Sequence, residues 1–185
     1  ITPYDAALVL QKVAGFKLAP TFGNNPRLCK LSVNNCDNRR LDISIDLDDV
    51  GDVYSADISL TYNPQILTVS DVSRAPATSE WLSEHGTEAG KLRISLAGAY
   101  QPAADGSLVT VSFDVQRAGS LPLRDAIKQL NITEFKLNDG RLRTSIENLP
   151  KAFALLQNYP NPFNPETWIP YQLSEAADVA ITIYN

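Results

Sequence analysis

Residues 41–62 read LDISIDLDDVGDVYSADISLTY, and this stretch decides the fold. Leu41, Ile43, Ile45 and Leu47 alternate with Asp42, Ser44 and Asp46. Beyond an acidic turn, Ala56, Ile58, Leu60 and Tyr62 alternate with Ser55, Asp57, Ser59 and Thr61. Period two, met twice, marks strands with one face in a core and one toward water. Gly51 supplies the bend between them, and Asn63-Pro64 ends the second run because proline cannot donate to a ladder. A third apolar run, residues 66–72, follows at once. The centre of the chain therefore reads as a β-meander that must pack against a second sheet.

Working outward, further alternating runs appear at residues 28–33, 92–97, 109–116, 132–137 and 142–146. Asn34-Asn35, Asp105-Gly106 and Asp139-Gly140 are expected to turn the chain, and Leu121 with Leu123 to begin a strand. Trp81 and Leu82 are expected in an edge strand or a short helix. Some eight or nine strands at a spacing of ~8–12 residues argue an all-β sandwich over residues 28–148. Its expected inward residues include Ile43, Ile45, Ile58, Leu60, Ile94, Leu96, Val111, Phe113 and Val115.

The bulk properties agree with a folded chain. It has 185 residues, 44% hydrophobic and 20% charged, with a net charge of −5. The absence of a basic cluster argues against nucleic acid, and no run reaches the ~18 apolar residues of a membrane span. The chain holds no Met and opens on Ile1, so further residues are expected before it. Cys29 and Cys36 admit a disulfide across a tight hairpin if the protein is exported, two free thiols, or half a metal site. A single histidine and no CxxC argue against metal.

Residues 1–16, ITPYDAALVLQKVAGF, form a helix whose Ala6, Val9, Leu10 and Val13 share a face, with Gly15 as terminator; through Val9, Leu10 and Val13 it is expected to dock on the sandwich or on a neighbouring copy of it. The segment resembles the second half of a dockerin calcium repeat. Ile1 to Asp5 fill the closing slots of its loop, and AALVLQKVAG continues into its helix. The resemblance puts Asp5 at the last ligand position, so calcium is implied only if residues before Ile1 complete the loop. Residues 17–27, KLAPTFGNNPR, are a linker by composition.

The strand order resembles a cohesin domain, the jelly-roll partner of dockerins. The carrying segments are YSADISLTYNPQILTVSDV, KLRISLAG, DGSLVTVSFDV and LNITEFKLNDG. The resemblance implies that a dockerin-type helix, in cis or in trans, docks on a flat polar face. Ser55 and Asp57 match positions that hydrogen-bond that helix. Ser59, Arg93 and Ser95 are expected beside them, facing outward. Ala97-Gly98 stand where some cohesins carry an acidic contact residue, a departure from the pattern.

Residues 149–185 change character, with five prolines between Pro150 and Pro170. LLQNYPNPFNPET, followed by alternating runs at 167–173 and 179–184, resembles the opening of the immunoglobulin-like C-terminal sorting modules of secreted bacterial proteins. This resemblance implies an extracellular or cell-surface setting. The two runs are expected to pair as strands, to be completed by further chain or by another molecule, and so to offer a route to self-association.

No catalytic constellation emerges. His85 stands alone in SEHGTE, no serine sits in a nucleophile elbow, and no Cys–His pair is evident. Asp46, Asp48, Asp49 and Asp52 around Gly51 suggest a calcium loop, but Val50 fills a slot that needs a ligand, which leaves a solvated hairpin. Asn131-Ile132-Thr133 fits a glycosylation sequon by pattern alone. The reading is a non-catalytic extracellular protein–protein binding module. Its alternative is a carbohydrate-binding accessory module of a secreted polysaccharide-degrading enzyme. The alternative needs exposed aromatic platforms, for which Trp81, Tyr54 and Tyr100 are the candidates.

Overall fold

The computed structural model describes residues 2–13, 25–36, 39–104, 106–116, 127–149, 154–155, 158, 162, 165–169, 171–173 and 178–182. Most of the linker 17–27, Gly15, Asp105, the strand expected at Leu121 and Leu123, and most of LLQNYPNPFNPET lie outside these residues. The chain divides into two compact units, Ile1–Asn148 and Leu149–Asn185.

Among the described residues of the first unit, a helix, α1 (Pro3–Val13), precedes nine strands. These are β1 (Arg27–Cys36), β2 (Arg40–Leu47), β3 (Ser55–Thr61), β4 (Leu67–Arg74), β5 (Leu82–Glu88), β6 (Lys91–Ala97), β7 (Gly106–Val115), β8 (Asn131–Leu137) and β9 (Thr144–Glu147). One sheet has the order β4-β7-β2-β1-β9 and the other β5-β6-β3-β8. All pairings are antiparallel except β1 with β9.

The meander expected at the centre is not one. β2 pairs with β1 and β7, whereas β3 pairs with β6 and β8 in the other sheet. β4 returns to the first sheet. Alternation fixes which face of a strand is buried, not which strand it pairs with. Two successive strands with one apolar face each can bury those faces against one another across the sandwich.

The acidic turn is thus a crossing between sheets, and its carboxylates serve the chain. Asp48 Oδ1 accepts from Leu28 N at 2.7 Å, Asp49 Oδ1 accepts from Gly51 N at 2.8 Å, and Asp49 Oδ2 pairs with Arg27. Arg27 also donates to Gly51 O. Asn63 makes the return turn, its Oδ1 accepting from Gln65 N and its carbonyl from Ile66 and Leu67 N.

The core follows the period-two reading. Leu41, Ile43, Ile45, Ile58, Leu60, Ile94, Leu96, Val111 and Phe113 are buried, and Phe113 meets the Tyr62 ring at a centroid distance of 5.3 Å. Val115, at the end of β7, is half-buried.

Other expectations are corrected. Asn34-Asn35 do not turn the chain. They continue β1, with a register shift between Val33 and Asn35 that a β-bulge absorbs. The disulfide expected between Cys29 and Cys36 is absent, because both cysteines lie in this one strand. Seven residues at ~3.3 Å each separate them by about 23 Å, well beyond the ~7 Å limit for a bridge. Cys29 is instead a free, buried thiol, and burial pushes it up to about 12. His85 lies in the edge strand β5, not in a loop.

In α1, the face turned to the sandwich is Tyr4, Ala7 and Gln11, while Val9 and Val13 of the expected face are 62% and 83% exposed. In the second unit β10 (Ala154–Leu155) pairs with β11 (Tyr171–Gln172). Residues 178–182 carry no strand, so the expected pairing of 167–173 with 179–184 is not formed among the described residues.

Two outcomes test this packing. Phe113→Ala should cost ~3–5 kcal/mol in chemical denaturation, the range for deleting a buried aromatic. In a Cys36→Ser background, Cys29 should resist a thiol reagent at pH 8 until the chain is unfolded. Its folded pKa lies above the ordinary 9.0, so the stability it contributes is whole below pH 9 and is lost as pH rises toward about 12.

Candidate functional site

The outer face of β5-β6-β3-β8 is built by the residues between the inward ones. Ala56, Ile58 and Leu60 of β3 point into the core, so Ser55, Asp57, Ser59 and Thr61 point away from it. On β6 the same rule sends Arg93, Ser95 and Ala97 outward, since Leu92, Ile94 and Leu96 are buried. The register sets Asp57 opposite Ser95 and Ser59 opposite Arg93. Ser95 Oγ donates to Asp57 Oδ1 at 2.8 Å. Four of the five residues expected here, Asp57, Ser59, Arg93 and Ser95, are therefore brought together.

They are not equally available. Arg93 is exposed and pairs at the rim with Glu88, while Asp57 and Ser95 are half-buried. Ser59 is 5% exposed, because β3 is a central strand with side chains standing on both sides of it. Ser55 departs from the expectation of an open contact residue: it is 1% exposed, at the start of a strand that α1 contacts.

Two charged residues that the sequence reading passed over complete the face. On β8, Lys136 lies opposite Asp57 and Glu134 opposite Ser59. Lys136 Nζ stands 2.6 Å from Glu134 Oε1, and Ser59 Oγ donates to Glu134 Oε2 at 3.4 Å. The hydrogen bond from Lys136 holds the Glu134 carboxyl below the usual range and raises the Lys136 ammonium in turn. Their alternation with Phe135 and Leu137 was the available signal; a register shift between Ser59 and Leu60 breaks it one residue earlier.

One end of the face is fixed by Asn138. Its Oδ1 accepts from Tyr54 N at 2.9 Å and Ser55 N at 3.2 Å, and its Nδ2 donates to Asp52 O at 2.6 Å. Asn138 and Asp139 both take positive φ, and Gly140 follows at φ 78°, so the chain curls tightly enough to bring this amide to the start of β3. Asn138 was not singled out in sequence, since nothing local marks a side chain that acts more than eighty positions away.

The aromatic candidates divide. Trp81 is 3% exposed and its Nε1 donates to Tyr100 O at 2.9 Å, so it offers no platform. Tyr54 is half-buried and Tyr100 is exposed. A Cβ at Gly98 would overlap the Trp81 indole, which accounts for the glycine beside Ala97.

Asp5 serves α1. Thr2 N donates to Asp5 Oδ2 at 2.8 Å and Asp5 N to Thr2 Oγ1 at 3.2 Å, a reciprocal capping box that lowers the Asp5 carboxyl. Among the described residues no group of three or more His, Cys, Asp or Glu could hold a metal ion. Calcium needs about 6–8 oxygens, so the described residues do not by themselves fit that ion.

Fold and face together define a two-sheet β-sandwich with a polar outer face on β5-β6-β3-β8. The chain belongs to the cohesin family: the family model for the cohesin domain matches residues 33–139. Among solved structures it resembles a non-cellulosomal cohesin from the hyperthermophilic archaeon Archaeoglobus fulgidus. The TM-score is 0.51 at 16% identity, over 67% of this chain and 86% of that one. It also resembles the sixth cohesin of Acetivibrio cellulolyticus scaffoldin B, solved in complex with a mutant Cel5 dockerin. There the TM-score is 0.51 at 13% identity, over 66% and 95% of the two chains. At these identities the likeness speaks to the fold. No curated protein matches the chain.

Gly98→Ala should destabilise the sandwich by ~1–3 kcal/mol, as overpacking does, and red-shift tryptophan emission as the indole is displaced. Unchanged stability and emission would mean that the Trp81 site is loosely packed.

Proposed function

We propose that this chain is a non-catalytic, extracellular protein–protein binding module of the cohesin–dockerin type. A dockerin-type helix, supplied in cis or in trans, lies on the outer face of β5-β6-β3-β8. The observation that carries this reading is the row of Asp57, Ser95 and Arg93 on one flat face of a cohesin-family sandwich. Asp57 and Ser95 are half-buried and already paired, so their remaining hydrogen-bonding capacity points at whatever lies on the sheet. Arg93 and Lys136 add cationic groups near Asp57, and Glu134 an anionic one, a mixed pattern suited to a polar partner helix. The Acetivibrio cohesin, which shares the fold, is itself seen with a dockerin.

The flanks enter this proposal as their resemblances imply. Residues 1–16 are read as the end of a dockerin repeat, with Asp5 as a calcium ligand once its loop is complete. Residues 149–185 are read as a linker and the start of a sorting module for a secreted or surface-held protein. The carbohydrate-binding alternative loses support from the burial of Trp81.

Asp57→Ala should weaken a dockerin-type partner by ~1–3 kcal/mol in calorimetric titration, as for loss of a charged hydrogen bond. Folding should be nearly unaffected, because Ser95 is half-exposed and can turn to water. An unchanged affinity would remove Asp57 from the site.

A further inference from the structure

We infer that α1 is an exchangeable occupant of the partner face: the chain carries its own helix on one end of that surface, and an incoming helix must displace it. This rests on the proposed function for the identity of the face, but the occupancy itself stands on geometry. Tyr4, Ala7 and Gln11 fall at i, i+3 and i+7 and form the buried stripe of α1. The helix lies against β3, β6 and the turn at 138–140, where Ser55 is 1% exposed and Ala97 5%. Ala7, fully buried, lets the helix approach closely, and the Arg141 guanidinium covers the Tyr4 ring at 5.0 Å.

The fit is incomplete in a specific way. Among the described residues, the buried Gln11 Oε1 and Ser55 Oγ have no hydrogen-bond partner. Gln11 belongs to the buried stripe of α1, and Ser55 begins β3, a strand that α1 contacts. Each is a polar group removed from water without replacement, which weakens the docked state. Meanwhile Val9 and Val13 remain in solvent. A helix that offers a small residue where Ala7 sits, and a hydrogen-bonding group to Ser55 Oγ, makes the same approach without that penalty. The partner class is therefore an amphipathic helix with a small residue at its centre of contact, and the intact chain binds it more weakly than a chain whose α1 is released.

The test uses the full chain and a fluorescent synthetic peptide of residues 2–13 as the probe. Ala7→Arg cannot be seated against the sheet and should release α1. It leaves the inter-sheet core of Ile58, Leu60, Ile94 and Leu96 untouched. The peptide should bind Ala7→Arg at least tenfold more tightly than the wild type, and the binding should shift the Ala97 and Gly98 amide resonances. Equal affinity for the two chains, no binding to Ala7→Arg, or shifts that spare Ala97 and Gly98 would each overturn the inference. Should Ala7→Arg not fold, Gln11→Leu carries the test alone. Removing the unpaired acceptor should slow amide exchange within α1 about tenfold, and exchange that is unchanged or faster overturns the inference. None of these readouts involves Asp57 or a dockerin, so the inference can fail while the proposed function stands, and the reverse.

Discussion

Everything on the four-stranded sheet depends on how β3 is held between β6 and β8 with its apolar row turned inward. Ala56, Ile58 and Leu60 must meet Leu92, Ile94, Leu96 and the opposite sheet, so the intervening residues have no choice of face. A slip of one residue would put Asp57 into the core and Ile58 into water, at a cost no surface interaction could offset. The polar row Ser55, Asp57 and Ser59 is thus a consequence of core packing. Because β3 is central, that row is also walled by its neighbours, which is why the outward Ser59 is as buried as a core residue.

The same logic explains which parts of the fold are legible in the sequence. Facing is a local property, written in period two, and it is readable in β2, β3, β6 and β7. Pairing is not local. Residues 41–62 look like a hairpin because a short turn joins two amphipathic strands, yet the turn spans the sandwich and each strand finds partners far along the chain. β1 misleads in a related way. Asn34-Asn35 have turn chemistry, but Ser44 Oγ donates to Asn34 Oδ1 across the ladder, and the strand absorbs the pair as a bulge. Once β1 runs through to Cys36, no bridge to Cys29 is possible. The pattern that suggested a disulfide depended on a turn that does not form.

The site is legible to the extent that it is made of strand residues. Asp57, Arg93 and Ser95 follow from alternation alone, and Glu134 with Lys136 could have been found by the same rule applied to β8. Asn138 could not, since it acts on Asp52, Tyr54 and Ser55 through tertiary contact. Nor could the burial of Ser55, which depends on where α1 lands. The helix has two apolar faces, and its own pattern does not choose between them. The surface beneath chooses: α1 buries Ala7 against β3 and β6, and the Arg141 guanidinium covers the Tyr4 ring.

A docking surface for a helix faces opposing demands. If it were apolar it would hold any amphipathic helix firmly, and in a free chain it would be an exposed patch prone to aggregation. A polar face avoids that hazard and makes occupancy depend on satisfied hydrogen bonds. An unpaired buried donor or acceptor costs about 1–3 kcal/mol, a factor of roughly 5 to 150 in an equilibrium constant. Ser55 Oγ and Gln11 Oε1 are two such groups, one on β3 and one on the helix that contacts it. For the partner helix proposed here, the difference from the resident helix need not lie in added area or added charge. It can lie in whether the hydroxyl of one central-strand serine, held in place by the Asn138 amide at its own backbone nitrogen, is answered from above.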